Sequence, residues 1–351
     1  MAPVLAVNAG STSLKLSLVG EDEASEAVAS LEDVPDGVVA VGHRVVHGGS
    51  RFRDPTVIDE DVERAIADLT RLAPLHNAPA LAGIEKARRA LPGVPHVAVF
   101  DTAFHATLPD EAAAYPVPLR WAEEWGVRRY GFHGLSVAWC AERAPELLER
   151  PSEGLRLVVC HLGGGCSITA VQDGRSVDTT MGFSPLEGVP MATRSGSVDP
   201  GALLYLLRER GLSVEELDYA LNEESGLRGL SGISGSVREL EAAAGRNPRA
   251  RHALHVYAHR IAGAVAAMAS SLGGLDALVF TAGVGEGSAR VRTDVCARLR
   301  FLGLELDPEA NEAAEPDYDA AAFGSPVRVL VLRTREDVMV ARAVREVLRG
   351  D

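Results

Sequence analysis

The sequence predicts an α/β protein built from two similar halves. Short apolar runs alternate with segments of helical periodicity, which is the pattern of sheets covered by helices. With 351 residues, the chain is too long for one ordinary core, so two domains are expected. Residues 4–19 and 156–172 each read as an apolar run, a small-residue turn and a second apolar run. This repeat indicates a duplicated domain with a cleft between the copies.

The elements are predicted from periodicity and from turn signals. Strands are predicted at residues 3–8, 14–19, 39–46, 95–100, 155–161, 167–172, 276–281 and 326–332. Helices are predicted at residues 59–72, 78–90, 136–149, 200–209, 213–222, 247–272, 288–300 and 335–349. Residues 20–37 are acidic and rich in turn formers, which predicts an exposed excursion. A second repeated pair is predicted between "VAVFDTAF" (97–104) and "ALVFTAGVGEG" (277–287).

Composition excludes several classes of partner. The formal net charge is −14 and the pI is about 5.2, which argues against nucleic acid and anionic membranes. A small anionic substrate must therefore be met by local positive charge. The amino-terminal segment has no basic region before an apolar run, and no run of about 18 apolar residues exists. The four cysteines lack metal-binding spacing and read as reduced thiols of a cytoplasmic protein.

Three glycine-rich turns are candidate phosphate sites. The first, "GSTS" (10–13), precedes Lys15, one of only two lysines in the chain. Small residues let a phosphate approach the backbone, and a lysine is a compact charge that reaches it. The second is "HLGGGCS" (161–167), which is neither a Walker A loop nor a Rossmann fingerprint. The third is "TAGVGEGS" (281–288), before a helix predicted near Ser288. Each alone could be an ordinary turn, but the three together indicate a nucleotide.

Four charged or polar residues lie beside turns where phosphoryl-transfer chemistry could use them. Arg44 lies between two histidines near the end of the predicted strand 39–46, Asp101 directly follows the predicted strand 95–100, Arg194 precedes a helix, and His133 sits between glycines. Two cations, a histidine donor and a carboxylate are what phosphoryl transfer requires. The spaced pairs His43/His47 and His255/His259 are interpreted as structural rather than as metal ligands.

The residues then show a family resemblance that runs from residue 4 to about residue 345. The segments that carry it are "VLAVNAGSTSLK", "GHRVVHGG", "APLHN", "VFDTAFH", "YGFHG", "HLGGGCSI", "SPLEGVPMATRSGSVDPG", "FTAGVGEGSARVR" and "TREDVMVAR". In this order they resemble the motifs of the acetate kinase family. The resemblance implies transfer of the γ-phosphoryl group of ATP to a short-chain carboxylate with Mg²⁺, Mn²⁺ being possible, in a homodimer. It also implies the duplicated two-domain fold of actin, sugar kinases and Hsp70-type ATPases, which is ribonuclease H-like.

The resemblance also implies domains and residue roles. Residues 1–104 and 337–351 would form an acyl and phosphate domain, and residues 105–336 a nucleotide and dimerisation domain. Asn8 and Glu336 resemble the metal-site residues, and Ser11, Ser13 and Lys15 the phosphate contacts. Arg44 resembles the carboxylate-binding arginine, Asp101 the catalytic aspartate, and His133 and Arg194 the groups that stabilise the transition state. The acyl pocket would comprise Val46, Leu75, Phe132 and Pro185. The nucleotide loops would comprise His161, Leu162, Gly163, Gly164, Gly165, Ser236, Val237, Arg238, Gly283, Val284, Gly285, Glu286 and Gly287.

The sequence departs from the family pattern mainly on the nucleotide side. Gly164 and Gly287 stand where the family usually has asparagine, and Ser236 where it usually has aspartate. Arg335 stands beside Glu336, and the span from Lys15 to Arg44 is shorter than usual. The alternatives left open are a non-catalytic or regulatory protein of the ATPase fold, a sugar or glycerol kinase of that fold, and an acyl kinase that uses butyrate or a non-ATP donor.

Overall fold

The computed structural model describes residues 3–9, 14–70, 74–312 and 315–350, with the backbone alone at 74–76. The described residues form two compact units. The first unit draws on Met1–Ala106, Pro116–Trp139 and Arg335–Asp351. The second unit draws on Thr107–Tyr115 and Cys140–Thr334.

The sheet of the first unit has six strands. They are β1 (Val4–Ala9), β2 (Leu14–Val19), β3 (Ser25–Val28), β4 (Ala40–Val45), β5 (Thr56–Val57) and β6 (His96–Phe100). Their order across the sheet is β3-β2-β1-β4-β6-β5. Strands β1 to β3 pair antiparallel in succession, β1, β4 and β6 are parallel, and β5 is antiparallel to β6.

The sheet of the second unit repeats this topology strand for strand. Its members are β7 (Arg156–Leu162), β8 (Cys166–Gln172), β9 (Arg175–Thr179), β10 (Ala277–Thr281), β11 (Tyr318–Asp319) and β12 (Arg328–Val331). The order is β9-β8-β7-β10-β12-β11, with the same parallel and antiparallel pairings. The predicted duplication is therefore confirmed, with the hairpins β1–β2 and β7–β8 as its first strands.

The second repeated pair predicted from the sequence is wrong. By position in the sheets, β10 corresponds to β4 and β6 corresponds to β12. The segments 97–104 and 277–287 are therefore not equivalent. Central parallel strands are buried on both faces and all read as apolar runs, so the pattern alone cannot distinguish one from another.

The helices are given in chain order. They are α1 (Glu60–Leu69), α2 (Pro74–Ala90), α3 (Asp110–Ala113), α4 (Leu119–Trp125), α5 (Gly134–Leu147), α6 (Pro200–Glu209), α7 (Val214–Tyr219), α8 (Gly226–Ser231), α9 (Val237–Ala243), α10 (Pro248–Ser271), α11 (Ala282–Gly287), α12 (Ala289–Arg298), α13 (Pro308–Asn311) and α14 (Glu336–Arg349). Each predicted helix is present within a few residues of its predicted bounds. Side chains of Asp59, Asn247 and Ser288 cap α1, α10 and α12 by accepting backbone N–H bonds.

The elements that the sequence did not predict are short or polar. Strand β3 lies within residues 20–37, for which the sequence predicts an exposed excursion and no strand. Its residues Ser25–Val28 are mostly exposed at the sheet edge, so they lack the alternating apolar pattern that marks a half-buried strand. None of the described helices is long and apolar enough to cross a membrane.

Helix α14 covers one face of the first sheet at close range. Its apolar residues Val338, Val340 and Val344 pack in one cluster with buried side chains of β1, β4 and β6. A Cβ at Gly42 of β4 would overlap the side chains of Val340 and Val344. The glycine therefore permits the close approach of α14, whose first residue lies one turn before Val340.

The chain passes between the two units more often than predicted. Residues 116–139, predicted to lie in the second domain, belong to the first unit. There Leu135 and Trp139 pack in the cluster under α14. Residues 107–115 belong to the second unit, where the Thr107 hydroxyl donates to the Ser176 carbonyl at 2.9 Å.

Candidate active site

Three predicted site residues form one row across the first sheet. Asn8 on β1 is in register with Lys15 on β2 and with Arg44 on β4. Residues in register on neighbouring strands point to the same face, and here that face also carries α14. Lys15 is exposed, whereas Asn8 and Arg44 are half-buried.

Arg44 is the centre of a polar network in this unit. Its Nε donates to Asp101 Oδ1 at 3.0 Å, and its Nη2 donates to Asp101 Oδ2 at 2.6 Å. Its Nη1 donates to Asn8 Oδ1 at 3.2 Å and lies 3.5 Å from Glu336 Oε2. The fork-to-fork pair with Asp101 fixes the plane of the guanidinium.

The electrostatics keep this arginine charged. Burial by itself would lower the pKa of Arg44, but the charges of Asp101 and Glu336 outweigh it and raise that pKa. Asp101 is fully buried, and both of its oxygens accept from Arg44. Asp101, predicted as the catalytic aspartate, thus orients Arg44 and stabilises its charged form.

Asn8 and Glu336 offer oxygen atoms suited to a hard divalent cation. The Asn8 Nδ2 lies 3.5 Å from Glu336 Oε2, so the two side chains meet. Amide and carboxylate oxygens are the ligands Mg²⁺ prefers, and Mg²⁺ usually takes only one or two protein carboxylates beside water and phosphate oxygens. The described residues contain no group of three or more His, Cys, Asp and Glu that could enclose a metal. This donor set therefore fits a metal that binds together with a phosphate substrate.

His133 stands beside Asp101 in an unusual backbone conformation. Its φ is 59°, which few non-glycine residues adopt and which points to a functional constraint. The next residue, Gly134, donates its N–H to the Asp101 carbonyl at 3.1 Å, and a Cβ on Gly134 would overlap that carbonyl. The Asp101 backbone and the start of α5 are thereby held together.

The predicted acyl pocket is described only in part. Phe132 is buried, and its ring lies 5.4 Å from that of His47, centroid to centroid. The carbonyl of Phe132 is 2.9 Å from His105 Nε2, and burial lowers the pKa of His105 to about 4, so this imidazole is neutral at pH 7. Val46 is half-buried directly after β4. The side chain of Leu75 lies outside the described residues, as do Ser11 and Ser13.

Four predicted segments of the second unit come together. The Ala192 N–H donates to the Gly164 carbonyl at 3.2 Å, which joins the glycine turn after β7 to the segment of Arg194. A Cβ at Gly235 would come within 2.6 Å of the Ala192 carbonyl, and one at Gly163 within 3.7 Å of the Ala282 Cβ. The segments 161–165, 191–194, 235–238 and 281–287 thus line one region of the second unit.

Arg194 differs from Arg44 in having no carboxylate partner among the described residues. Its Nη1 donates to the Pro185 carbonyl at 3.0 Å. Burial lowers its pKa, and the charges of Cys166 and Glu223 offset part of that effect. A half-buried guanidinium whose hydrogen-bond partner is a neutral carbonyl retains its charge for a bound anion.

Comparison with known proteins identifies the family. A model described as the acetokinase family matches residues 26–342. The acetate kinase of Synechococcus sp. (strain JA-2-3B'a(2-13)) is 54 % identical over 312 residues, which is 89 % of this chain and 77 % of that protein. The acetate kinase of Nostoc punctiforme is 54 % identical over 311 residues, 88 % of this chain and 76 % of that protein.

The chain belongs to the acetokinase family.

Solved structures support the family assignment. A propionate kinase from Francisella tularensis has a TM-score of 0.91 at 34 % identity, covering 98 % of this chain and 99 % of that chain. The acetate kinase of Porphyromonas gingivalis has a TM-score of 0.89 at 33 % identity, covering 99 % and 100 %. The predicted actin-like fold and the predicted reaction class, a phosphotransferase with a carboxyl acceptor, are confirmed.

In this chain the glycine-rich segment 282–287 is helical, whereas the sequence predicts a turn there. It forms α11, and Ser288 then caps α12. Ser236 caps α9, and its Oγ accepts from the Glu239 N–H at 3.4 Å. The side chains of Leu162 and Val237 are buried. At these two predicted nucleotide-binding positions, therefore, only the backbone could contact a nucleotide. Arg238, the next residue, is exposed.

Sequence reasoning missed Arg292, a fully buried arginine in α12. Its Nη1 donates to the carbonyls of Gly285 and Glu286 at 2.8 and 2.9 Å. Its Nε donates to Asn311 Oδ1 at 2.8 Å, and its Nη2 donates to the Tyr318 hydroxyl at 3.0 Å. Arg292 of α12 thus holds α11 in place through these two carbonyls. The sequence does carry a sign of this burial. Arg292 lies one residue after Val291 and three before Val295, and in a helix this spacing places it on the face that carries these two buried valines.

Proposed function

We propose that the protein transfers the γ-phosphoryl group of ATP reversibly to acetate, with propionate as a second acceptor, to give an acyl phosphate and ADP. The observation that most supports this activity is that two arginines, Arg44 and Arg194, have different hydrogen-bond partners. Arg44 is locked by Asp101, whereas Arg194 keeps its charge without a described carboxylate partner. Two cations of this kind suit a reaction in which both substrates are anions.

The acceptor needs charge compensation rather than a base. A carboxylic acid with an ordinary pKa near 4 is already ionised at pH 7, so no group must remove its proton. In this proposal Arg44 holds the acceptor carboxylate. Of its five N–H donors, two are engaged by Asp101 and one by Asn8, which leaves donors for a second anion.

The transferring group is stabilised by fixed positive charge and hydrogen bonds. We assign Lys15 to the donor phosphates, and Arg194 and His133 to the oxygens of the transferring phosphoryl group. Such preorganised donors act where charge redistributes in the transition state. Asn8 and Glu336 would hold Mg²⁺ or Mn²⁺, which would supply further neutralisation of phosphate charge. The direct in-line displacement requires no covalent enzyme intermediate.

Cytoplasmic location and a homodimeric state are further parts of the proposal. All four cysteines are buried free thiols, which suits a reducing compartment. Partners are then a short-chain carboxylate and a nucleotide, with no nucleic acid and no membrane surface, in keeping with the net charge of −14.

The acceptor is tested by trapping acyl phosphate as hydroxamate from acetate, propionate and butyrate, with ATP and Mg²⁺. We expect the highest kcat/KM with acetate and measurable product with propionate, since one methylene in an apolar pocket changes the free energy by only about 1–3 kcal/mol. A preference for butyrate above about tenfold, roughly 1.4 kcal/mol, would contradict the assignment of acetate. Absence of product with every acceptor and donor would favour a non-catalytic protein.

The donor preference should be broad. A Cβ at Gly164 or Gly287 would meet no described atom within 4 Å, so both glycines leave open space where the family usually has an asparagine side chain. Each lost neutral hydrogen bond removes about 0.5–1.5 kcal/mol of binding free energy, while the phosphate contacts remain. We therefore expect kcat/KM for ATP and GTP to lie within about tenfold, a gap of roughly 1.4 kcal/mol.

Comparing ATP, GTP, ITP and pyrophosphate at saturating acetate and Mg²⁺ measures this preference. A selectivity for ATP over GTP of a hundredfold or more would show that other groups read the adenine. The inference from Gly164, Ser236 and Gly287 would then fail, while the kinase assignment would stand.

A further inference from the structure

The Arg194 guanidinium is hydrogen-bonded to a turn whose conformation has no part in the proposed mechanism. The Pro185 carbonyl that accepts from Arg194 Nη1 belongs to the segment 182–187. Pro185 is itself buried. The position of the cation therefore depends on the conformation of this turn.

Tyr115 fixes the turn at both ends. Its phenolic oxygen accepts the Phe183 N–H at 2.9 Å, and its O–H donates to the Glu187 carboxylate. Pro185 lies midway between these two contacts. A Cβ at Gly182 would overlap both the Tyr115 hydroxyl and the Glu187 carboxylate, so the pair packs directly on the Gly182 backbone. The glycine and the tyrosine–carboxylate pair thus form one interlocked unit.

Tyr115 reaches the turn from a segment that is itself anchored. It ends the short stretch Thr107–Tyr115, which leaves the first unit in sequence and belongs to the second. The Thr107 hydroxyl bond to the Ser176 carbonyl ties this stretch to β9. A brace fixed to the sheet, rather than to the loop it holds, can resist displacement of the turn.

The far side of the Arg194 loop is closed separately. The Ser197 N–H donates to the Gly188 carbonyl at 2.8 Å, and the Gly188 N–H donates to Ser197 Oγ at 3.1 Å. The Met191 N–H also donates to the Arg194 carbonyl at 3.0 Å. These bonds set the loop backbone, whereas the Tyr115–Glu187 pair sets the carbonyl on which the guanidinium rests.

We propose that Tyr115 and Glu187 are positioning residues for the reaction, acting through the Pro185 carbonyl on the guanidinium of Arg194. The inference rests on the proposed role of Arg194 in phosphoryl transfer. Neither residue is assigned contact with substrate. Loss of the brace lets the guanidinium move, and misplacement of a catalytic group by about 1 Å can cost on the order of a hundredfold in rate.

The test is a double-mutant cycle between Tyr115→Phe and Arg194→Ala, read as kcat in acyl phosphate formation. Alone, Tyr115→Phe is expected to lower kcat by about 10- to 100-fold while KM for ATP stays within about twofold. In the Arg194→Ala background the same change should cost less than about threefold, because its effect passes through that guanidinium. Tyr219→Phe, at an exposed tyrosine of the second unit, is the matched control and should leave kcat unchanged.

Glu187 supplies an independent arm should Tyr115→Phe fail to fold. Glu187→Gln keeps an oxygen that accepts from the phenol and should retain kcat within about threefold, whereas Glu187→Ala should reproduce the loss. Equal losses from Tyr115→Phe with and without Arg194 would overturn the inference and leave the proposed function intact. A wild-type kcat for Arg194→Ala would overturn the inference together with the proposed role of Arg194 in phosphoryl transfer.

Discussion

Arg194→Ala is expected to lower kcat by about 10²- to 10⁴-fold, the range usual for loss of one cation from a phosphoryl-transfer site. The guanidinium is half-buried and hydrogen-bonds the neutral Pro185 carbonyl, so its charge is not spent on a described carboxylate. A charge in such a site stabilises the transition state more than the ground state. The loss should therefore fall on kcat rather than on KM.

Exposed Arg175 on β9 provides the matched control in the same unit. Arg175→Ala removes a guanidinium from the surface and should leave kcat and both KM values near those of the wild type. If Arg194→Ala instead raised KM with kcat unchanged, Arg194 would serve only to bind substrate, and its assignment to the transferring phosphoryl group would be wrong.

Arg44→Ala should have an equally large effect, seen in kcat/KM for acetate, together with a loss of stability. We expect kcat/KM to fall by about 10²- to 10⁴-fold, since truncating one side of a buried charge pair costs on the order of 2–5 kcal/mol. The same change removes the cation that pairs with the fully buried Asp101 carboxylate, and the free energy of unfolding should fall by about 3–5 kcal/mol. Denaturant titration and acetate kinetics measure the two effects separately.

The double variant Arg44→Ala/Asp101→Ala separates stability from chemistry. Removing both partners leaves no unpaired buried charge, so the free energy of unfolding should recover in part while activity stays low. Arg64→Ala breaks an exposed pair with Asp61 on α1 and should change both quantities little. Recovery of acetate kinetics in the double variant would contradict the role of Arg44.

The strands that carry the site residues of the first sheet could be predicted, because an apolar run between turn signals is a local pattern. Lys15, Asn8 and Arg44 lie on apolar strands whose alternation fixes which side chains face α14. What the sequence could not supply is the approach of α14, which Gly42 permits and which brings Glu336 within 3.5 Å of Arg44 Nη1. That contact joins residues far apart in the chain and depends on tertiary packing.

In the second unit the motif positions were predictable, but their supports were not. Tyr115 and Arg292 contact the candidate site segments from parts of the chain with no glycine-rich or catalytic pattern of their own. The roles of Tyr115 and Arg292 follow from the backbone groups they contact, the Phe183 N–H and the Gly285 carbonyl, and these contacts form only in the folded protein. The return of residues 116–139 to the first unit could likewise not be predicted from periodicity, because it depends on tertiary contacts such as those of Leu135 and Trp139 with the cluster under α14.

The assignment is tested by quantifying ADP and acyl phosphate formed by the purified protein from ATP and acetate with Mg²⁺, beside Arg44→Ala and Arg194→Ala. We expect equimolar ADP and acetyl phosphate from the wild type. Product formation should depend on acetate, and both variants should lose it by at least about a hundredfold. ADP released without acetate, or acetyl phosphate formed at the wild-type rate by either variant, would contradict the assignment.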